Sequence, residues 1–381
     1  MIITVAGDFC DRYRVSKLIE KKDFEPMFFQ MKSILRNSDY NIVNFEFPIV
    51  KEKGHPIRKN GPNLKGQINS IEALKYVGFN VCTLANNHIL DQGDQCCVDT
   101  ISELNNLDIY TVGCGKDSNE ASKVLYLQKE DETLAIINCC EHEFCIATDT
   151  KPGANPLSLI NQYHAIKEAR MKADYVIVIV HGGHEHFQLP SPRMQKNYRF
   201  YIDVGADVVI NHHQHCYSGY EEYKDKFIFY GLGNFLFDEP AKRNDKWNKG
   251  YLVRLCFSKR ESLKYELIPY EQCNENVGCF PISSTFDIDD FKKHIKELNE
   301  IIINPQLLHK KYETWVIENS HWYLLTFVPY LDRITRGLFL RGYLPKFINK
   351  TKAYTIANFI NCESHLERLR LVVSHFLLNK I

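Results

Sequence analysis

Seven short apolar runs, at residues 2–6, 41–47, 80–84, 134–138, 174–180, 207–211 and 226–230, punctuate the first two-thirds of the chain. Several are rich in Ile and Val with little polar alternation, the pattern of strands covered on both faces. Stretches of helical periodicity separate them, notably 69–77, 95–104 and 157–172. Strands alternating with helices define an α/β protein. Two later runs, 251–257 and 263–269, read as an antiparallel hairpin at a sheet edge.

The residues that follow these runs share a chemistry. Asp8 follows the first, Asn44-Phe45-Glu46 closes the second, and the third leads into Leu84-Ala85-Asn86-Asn87-His88-Ile89-Leu90-Asp91. Later runs lead into His181-Gly182-Gly183-His184-Glu185-His186, Asn211-His212-His213-Gln214-His215 and Gly231-Leu232-Gly233-Asn234-Phe235. Seven of the chain's 15 histidines sit in these segments, far more regularly than chance placement gives. In open α/β sheets the carboxyl ends of strands are where ligands bind. A divalent cation needs oxygen and imidazole donors converging from several elements. Asp8, Glu46, Asn87, His181, His213 and His215 supply that mixture, and a carboxylate such as Glu46 can bridge two cations. On strand periodicity, His213 and His215 point to the same side. Taken singly, Asp8 reads as a cap and the asparagines as loop residues; His184 and His186 stay outside the set. The ordered series of six segments favours a site.

Other function classes find less support. With 47 basic and 47 acidic residues, the charge balance gives no footprint for nucleic acid. Gly113-Cys114-Gly115-Lys116 lacks the earlier glycine of a phosphate-binding loop, since position 110 is Tyr. No Gly-x-Ser-x-Gly elbow occurs. The 13 cysteines form no disulfide or zinc-ribbon spacing, which fits reduced thiols in a cytosol. Cys139-Cys140 beside His142 lies in an apolar strand and reads as buried structural cysteine. No stretch approaches the roughly 20 apolar residues needed to span a bilayer, and the N-terminus lacks a signal pattern. The expected location is cytoplasmic, with peripheral contact to the inner membrane face open.

The same segments, from Gly7-Asp8 to Leu232-Gly233-Asn234-Phe235, resemble the CapA family of poly-gamma-glutamate capsule synthesis over roughly residues 1–270. The resemblance implies a four-layer α/β/β/α metallophosphatase-like sandwich and a link to capsule or exopolymer production. It also implies one or two divalent metal ions, manganese, zinc or magnesium. Seen against calcineurin-like phosphoesterases, Asp8 resembles the first-motif aspartate and Glu46 the bridging acid. Asn87 and His88 resemble a metal-binding Asn followed by a His that assists the leaving group, with Asp91 orienting that imidazole. His181 resembles the isolated ligand, and His213 with His215 the final pair. Cys10 departs from the pattern, standing where phosphoesterases carry a second His. So do Gly182, Asn211 and Gln214, where Trp, Gly and Pro are usual for CapA.

Near residue 285 the composition shifts. Residues 291–381 carry 14 Lys and Arg against seven Asp and Glu, and helical patterns run over 286–303, 306–317 and 362–378. The expected division is a catalytic-type domain at 1–284 and a basic, mainly helical extension at 285–381. Residues 335–350 interleave bulky apolar groups with Arg and Lys, as interfacial segments do, and read as a contact for an anionic membrane or a membrane-bound synthase. Two function classes remain. One is a metal-dependent hydrolase or transferase acting on an anionic polymer or phosphate ester. The other is a non-catalytic cation-binding component of a capsule polymer assembly or export complex.

Overall fold

The structure, a computed structural model, describes residues 1–319 and 349–373 and positions 334, 338, 341–343 and 375. The chain opens with β1 (Ile2–Cys10), α1 (Tyr13–Glu20), α2 (Glu25–Leu35), β2 (Tyr40–Phe45), α3 (Asn69–Val77), β3 (Val81–Thr83), α4 (Asp94–Asn106) and β4 (Tyr110–Val112). It continues through β5 (Cys114–Gly115), α5 (Ser118–Ala121), β6 (Leu125–Lys129), β7 (Glu132–Cys140), β8 (Gly153–Ala154), α6 (Leu159–Lys172), β9 (Tyr175–His181) and α7 (Pro192–Val204). Then come β10 (Val208–His212), β11 (Tyr220–Tyr223), β12 (Lys226–Phe229), β13 (Asn234–Phe237), β14 (Lys249–Cys256), β15 (Lys264–Gln272) and β16 (Cys279–Pro281). Four helices follow: α8 (Thr285–Ile302), α9 (Pro305–Glu318), α10 (Lys350–Asn361) and α11 (Glu363–Val373).

Two sheets carry the architecture. The first runs β16-β15-β14-β1-β2-β3-β4, with β13 parallel to the end of β1; the second runs β11-β12-β10-β9-β7-β6. β1 to β4 pair in parallel, as do β7, β9, β10 and β12, so their carboxyl ends share one edge in each sheet. The expected hairpin is β14–β15, with the short β16 outside it.

Strand alternation sorts the core into layers. Ile42 belongs to the core cluster that holds the second sheet's Ile136, Ile177 and Val209, whereas its neighbour Val43 belongs to the one that holds Met31 of α2 and Leu74 of α3. α6 and α7 close the far side of the second sheet with Ile166, Ala169, Tyr198 and Tyr201. The order is α/β/β/α, the layering that the family resemblance implies. Local chemistry starts the outer helices. The Ser158 and Ser191 side chains accept from Asn161 and Met194 backbone N–H groups, and Pro192 opens α7, where its missing N–H is no loss.

Two glycines let the strand ends close up. Asp8 N–H donates to Gly233 O at 3.2 Å, and a Cβ on Gly7 would stand 1.8 Å from that oxygen. Gly233 itself has φ +81°, a left-handed conformation that glycine adopts without strain.

The helices after residue 285 share this core. Phe291, Ile295, Leu298 and Ile302 form a buried stripe on α8, and Leu308, Tyr312, Val316, Phe359, Leu369 and Val372 join the cluster beneath the second sheet. Each such side chain contributes about 1.5–3 kcal/mol of gross burial energy. Most of the 335–350 stretch, including Phe339, Leu340, Phe347 and Ile348, lies outside the described residues. Among those described, no helix is long and apolar enough to cross a membrane.

Candidate metal centre

All eight residues singled out in the sequence come together at the shared strand edge. Glu46 follows β2, fixed by its backbone N–H donating to Phe9 O at 3.1 Å. Its Oε1 lies 3.7 Å from Nε2 of His181, 3.7 Å from Nε2 of His215 and 4.0 Å from Nε2 of His88. Two donor groups share this carboxylate: Asp8, Glu46 and His215, and Glu46, His181 and His213, with the ligand atoms of each group within 4.8 Å of one another. Asn87 Oδ1 sits 3.0 Å from His181 Nε2, and His213 Nδ1 sits 3.1 Å from that same nitrogen.

The route by which His213 and His215 converge corrects the sequence reading. β10 ends at His212, and His213 and His215 have φ of +89° and +53°. They meet the centre through a left-handed loop rather than by strand alternation. Backbone contacts hold that loop: His213 N–H donates to Asp8 Oδ2 at 3.3 Å, and Gln214 Nε2 donates to Phe187 O and Leu189 O. Asn211 ties neighbouring strand ends together, accepting from Tyr198 and donating to Gly182 O at 2.9 Å.

Both Glu46 oxygens are buried and have no hydrogen-bond donor. Burial and the Asp8 carboxylate push its carboxyl well above the usual range. Burial also opposes ionisation of Asp8, yet its hydrogen bond with His215 and the nearby imidazoles hold that carboxyl low. On His215, burial is outweighed by Glu46 and Asp8, which lift the imidazole to about 10. Burial and His213 keep His181 well below the ordinary histidine value, so its ring is neutral and ready to donate a lone pair.

His88 stands behind the cluster. Its Nδ1 meets Asp91 Oδ2 at 2.6 Å, and Asp91 is held by Leu64 N–H at 2.6 Å and the buried Lys59 Nζ at 2.5 Å. Burial and the Lys59 cation, against the pull of Asp91, lower the His88 pKa.

Several residues beyond the predicted ligand set complete the centre. Asn44 Nδ2 donates to Asp8 Oδ1 at 2.7 Å and lies 3.2 Å from His181 Nδ1. Neither ring nitrogen of the buried His212 has a hydrogen-bond partner, and Nδ1 lies 3.7 Å from Asp8. Glu143, from the loop after β7, accepts from Asn87 Nδ2 at 3.0 Å. A cleft of about 270 Å³ opens beside the cluster, lined by Lys59, Asn87, His88, Glu143 and His213, and on its other side by Asn358, His365 and Arg368. His184 takes no part in the centre: its Nε2 lies 3.2 Å from Tyr312 and 3.7 Å from Glu367. Cys10, Cys139 and Cys140 are buried, and burial pushes all three thiols far up, which keeps them protonated.

Two stacked sheets with helices outside, and histidines and carboxylates gathered at their strand ends, define an α/β sandwich with a group of donors able to hold divalent cations. The chain belongs to the family described as bacterial capsule synthesis protein PGA_cap, whose sequence profile matches residues 2–239. It is 32% identical over 251 residues to the capsule biosynthesis protein CapA of Bacillus anthracis, covering 64% of this chain and 61% of that one. To the PGA biosynthesis protein CapA of Bacillus subtilis (strain 168) it is 31% identical over 269 residues, 70% of each chain. The chain thus spans about three-fifths of the first relative's length. A solved 5'-nucleotidase precursor from Thermus thermophilus aligns with a TM-score of 0.43 at 12% identity, over 78% of this chain and 58% of that one.

Proposed function

We propose that the chain is a divalent-metal-dependent hydrolase or transferase of capsule-polymer synthesis, acting on an anionic polymer or a phosphate ester. Asp8, Glu46 and His215 would hold one cation, and Glu46, Asn87, His181 and His213 a second, with manganese, zinc or magnesium as the candidates. The observation that carries this reading is Glu46. A carboxylate with both oxygens buried and undonated is expensive to bury, whereas the same group placed between two sets of imidazole and carboxylate donors fits a bridging ligand.

Bound there, divalent cations supply Lewis acidity and neutralise charge developing on an oxyanion. The chain's own residues do the rest. Asp91 accepts from His88 Nδ1 and fixes the ring, leaving Nε2 directed at the cluster to exchange a proton with a leaving group. Lys59 and Leu64 N–H fix Asp91 in turn. Asn44 positions Asp8 and the back of His181 together.

The test is elemental analysis and thermal shift with manganese, zinc and magnesium, followed by a phosphoesterase substrate panel. Wild type should hold metal and gain stability, and the Glu46→Ala, His213→Ala double variant should do neither. Wild-type protein that purifies metal-free and shows no shift with any of the three ions overturns the reading.

A further inference from the structure

The family match ends at residue 239, yet one wall of the cleft comes from α10 and α11. That wall is locked in place by buried polar contacts. Glu141 accepts from Arg193 Nη2 at 2.6 Å and from Ser364 Oγ at 2.8 Å. Glu367 accepts from Ser191 Oγ at 2.7 Å and Arg193 Nε at 3.2 Å. Gly182 makes room for this arrangement, because a Cβ there would come within 2.7 Å of Glu141 Cγ. Glu143 joins wall to centre: one oxygen accepts from Asn87, the other from Asn358 Nδ2 at 2.9 Å and meets His365 Nε2 at 3.3 Å.

From this we infer that α10 and α11 form the substrate-reading wall of the cleft, with Arg368 and His365 contacting an oxyanion, phosphate or carboxylate, of the bound substrate. The inference rests on the metal-centre reading above, since it places that oxyanion beside the reacting group. Arg368 suits the role. Its guanidinium carbon lies 4.3 Å from the Trp315 ring centroid and its Nη2 donates to Asn319 O at 3.3 Å, two contacts that hold the group at the cleft, which Lys59 also lines. A fixed guanidinium fork matches the geometry of an oxyanion, which a flexible ammonium matches less well. Glu185 is exposed at the cleft, so the opening is of mixed sign, and selection falls to the placed cations rather than to a general positive field.

The experiment is calorimetric titration of full-length, manganese-loaded protein with inorganic phosphate and, separately, with glutarate. Wild type is compared with Arg368→Ala, Arg368→Lys and His365→Ala, and metal content is measured on each. Arg368→Ala should weaken the responding oxyanion ten-fold or more, and Arg368→Lys and His365→Ala by less, at unchanged metal content. The ligand that responds tells phosphate from carboxylate. Arg368→Lys keeps the positive charge and the aliphatic stem beside Trp315, and unchanged metal content and melting in that variant separate loss of the fork from a folding defect. Wild-type affinity in all three variants overturns the inference, as does wild-type protein that binds neither ligand. The same titrations without metal separate the two readings. Arg368-dependent binding by protein that takes up no manganese leaves the wall standing and removes the metal centre.

Discussion

Glu143 accepts a hydrogen bond from Asn87 Nδ2, and this turns the Asn87 carbonyl oxygen toward His181 Nε2, 3.0 Å away. A carboxylate can only accept, so it fixes which end of the amide faces the histidines. Burial opposes ionisation of Glu143, but its hydrogen bond with His365 and the nearby imidazole charges hold the carboxyl well below the usual range.

Glu143→Ala should therefore weaken metal binding although residue 143 is not among the proposed ligands. Partners that orient a ligand typically account for 10–100-fold in affinity. Titration of the metal-free variant with manganese checks this; unchanged affinity would show that Asn87 is oriented by other means.

Glu46→Gln keeps the shape of the side chain and removes its charge. The stabilisation that wild type draws from added cations should disappear. Denaturant melts with and without manganese read this, and a variant that gains as much from the ion as wild type contradicts the account.

His88→Ala should lower turnover by about 10²–10⁴ while metal content stays at the wild-type level. Asp91→Asn should be milder, because the imidazole remains and only its orientation suffers. Turnover and elemental analysis on the same preparations decide it.

Acid should loosen the wall of the cleft. Burial opposes ionisation of Glu141, but the Arg193 charge and the hydrogen bonds from Ser364 and Arg193 hold its carboxyl at about 2. A depressed carboxyl contributes stability that is present above its unfolded value and lost as pH falls through the folded one; here that is on the order of 3 kcal/mol. His184 adds to this, since burial keeps its pKa at about 4 and unfolded histidine takes up protons first. Hydrogen-exchange protection across 350–373, taken relative to the intrinsic rate at each pH, should fall between about pH 6 and pH 3, and Glu141→Gln should show the low protection already at neutral pH. Protection there that stays constant over this range would show that apolar packing alone holds α11.

Periodicity and strand-end chemistry located much of this arrangement from sequence. The buried runs ending at Asp8, Glu46, His181 and His212 announce both their strands and their donors, because a strand covered on two faces leaves few places for polar residues except its ends. α1, with Val15 and Ile19 buried, is only eight residues long, and the buried face of α7, Met194, Tyr198 and Tyr201, is interrupted by charged residues, so neither stands out in sequence. His213 and His215 defeat strand logic because a left-handed loop, steadied by contacts to Asp8, Phe187 and Leu189, sets their direction. Glu143, Asn358, His365 and Arg368 are invisible locally. Their relation to the centre spans more than 200 residues of chain and exists only once α10 and α11 have docked.

β1 is an interior strand of its sheet, hydrogen-bonded to β2 on one side and to β14 on the other, with Ile2 opposite Cys256. On the ribosome, β14 follows β1 by about 240 residues, roughly 10–50 s at ordinary elongation rates. For that interval one side of a nine-residue, almost wholly buried strand has no partner, a template for pairing with other nascent chains. The yield of this protein in a cell should therefore depend on chaperones that shield nascent chains, and on elongation speed, more than its finished stability would indicate.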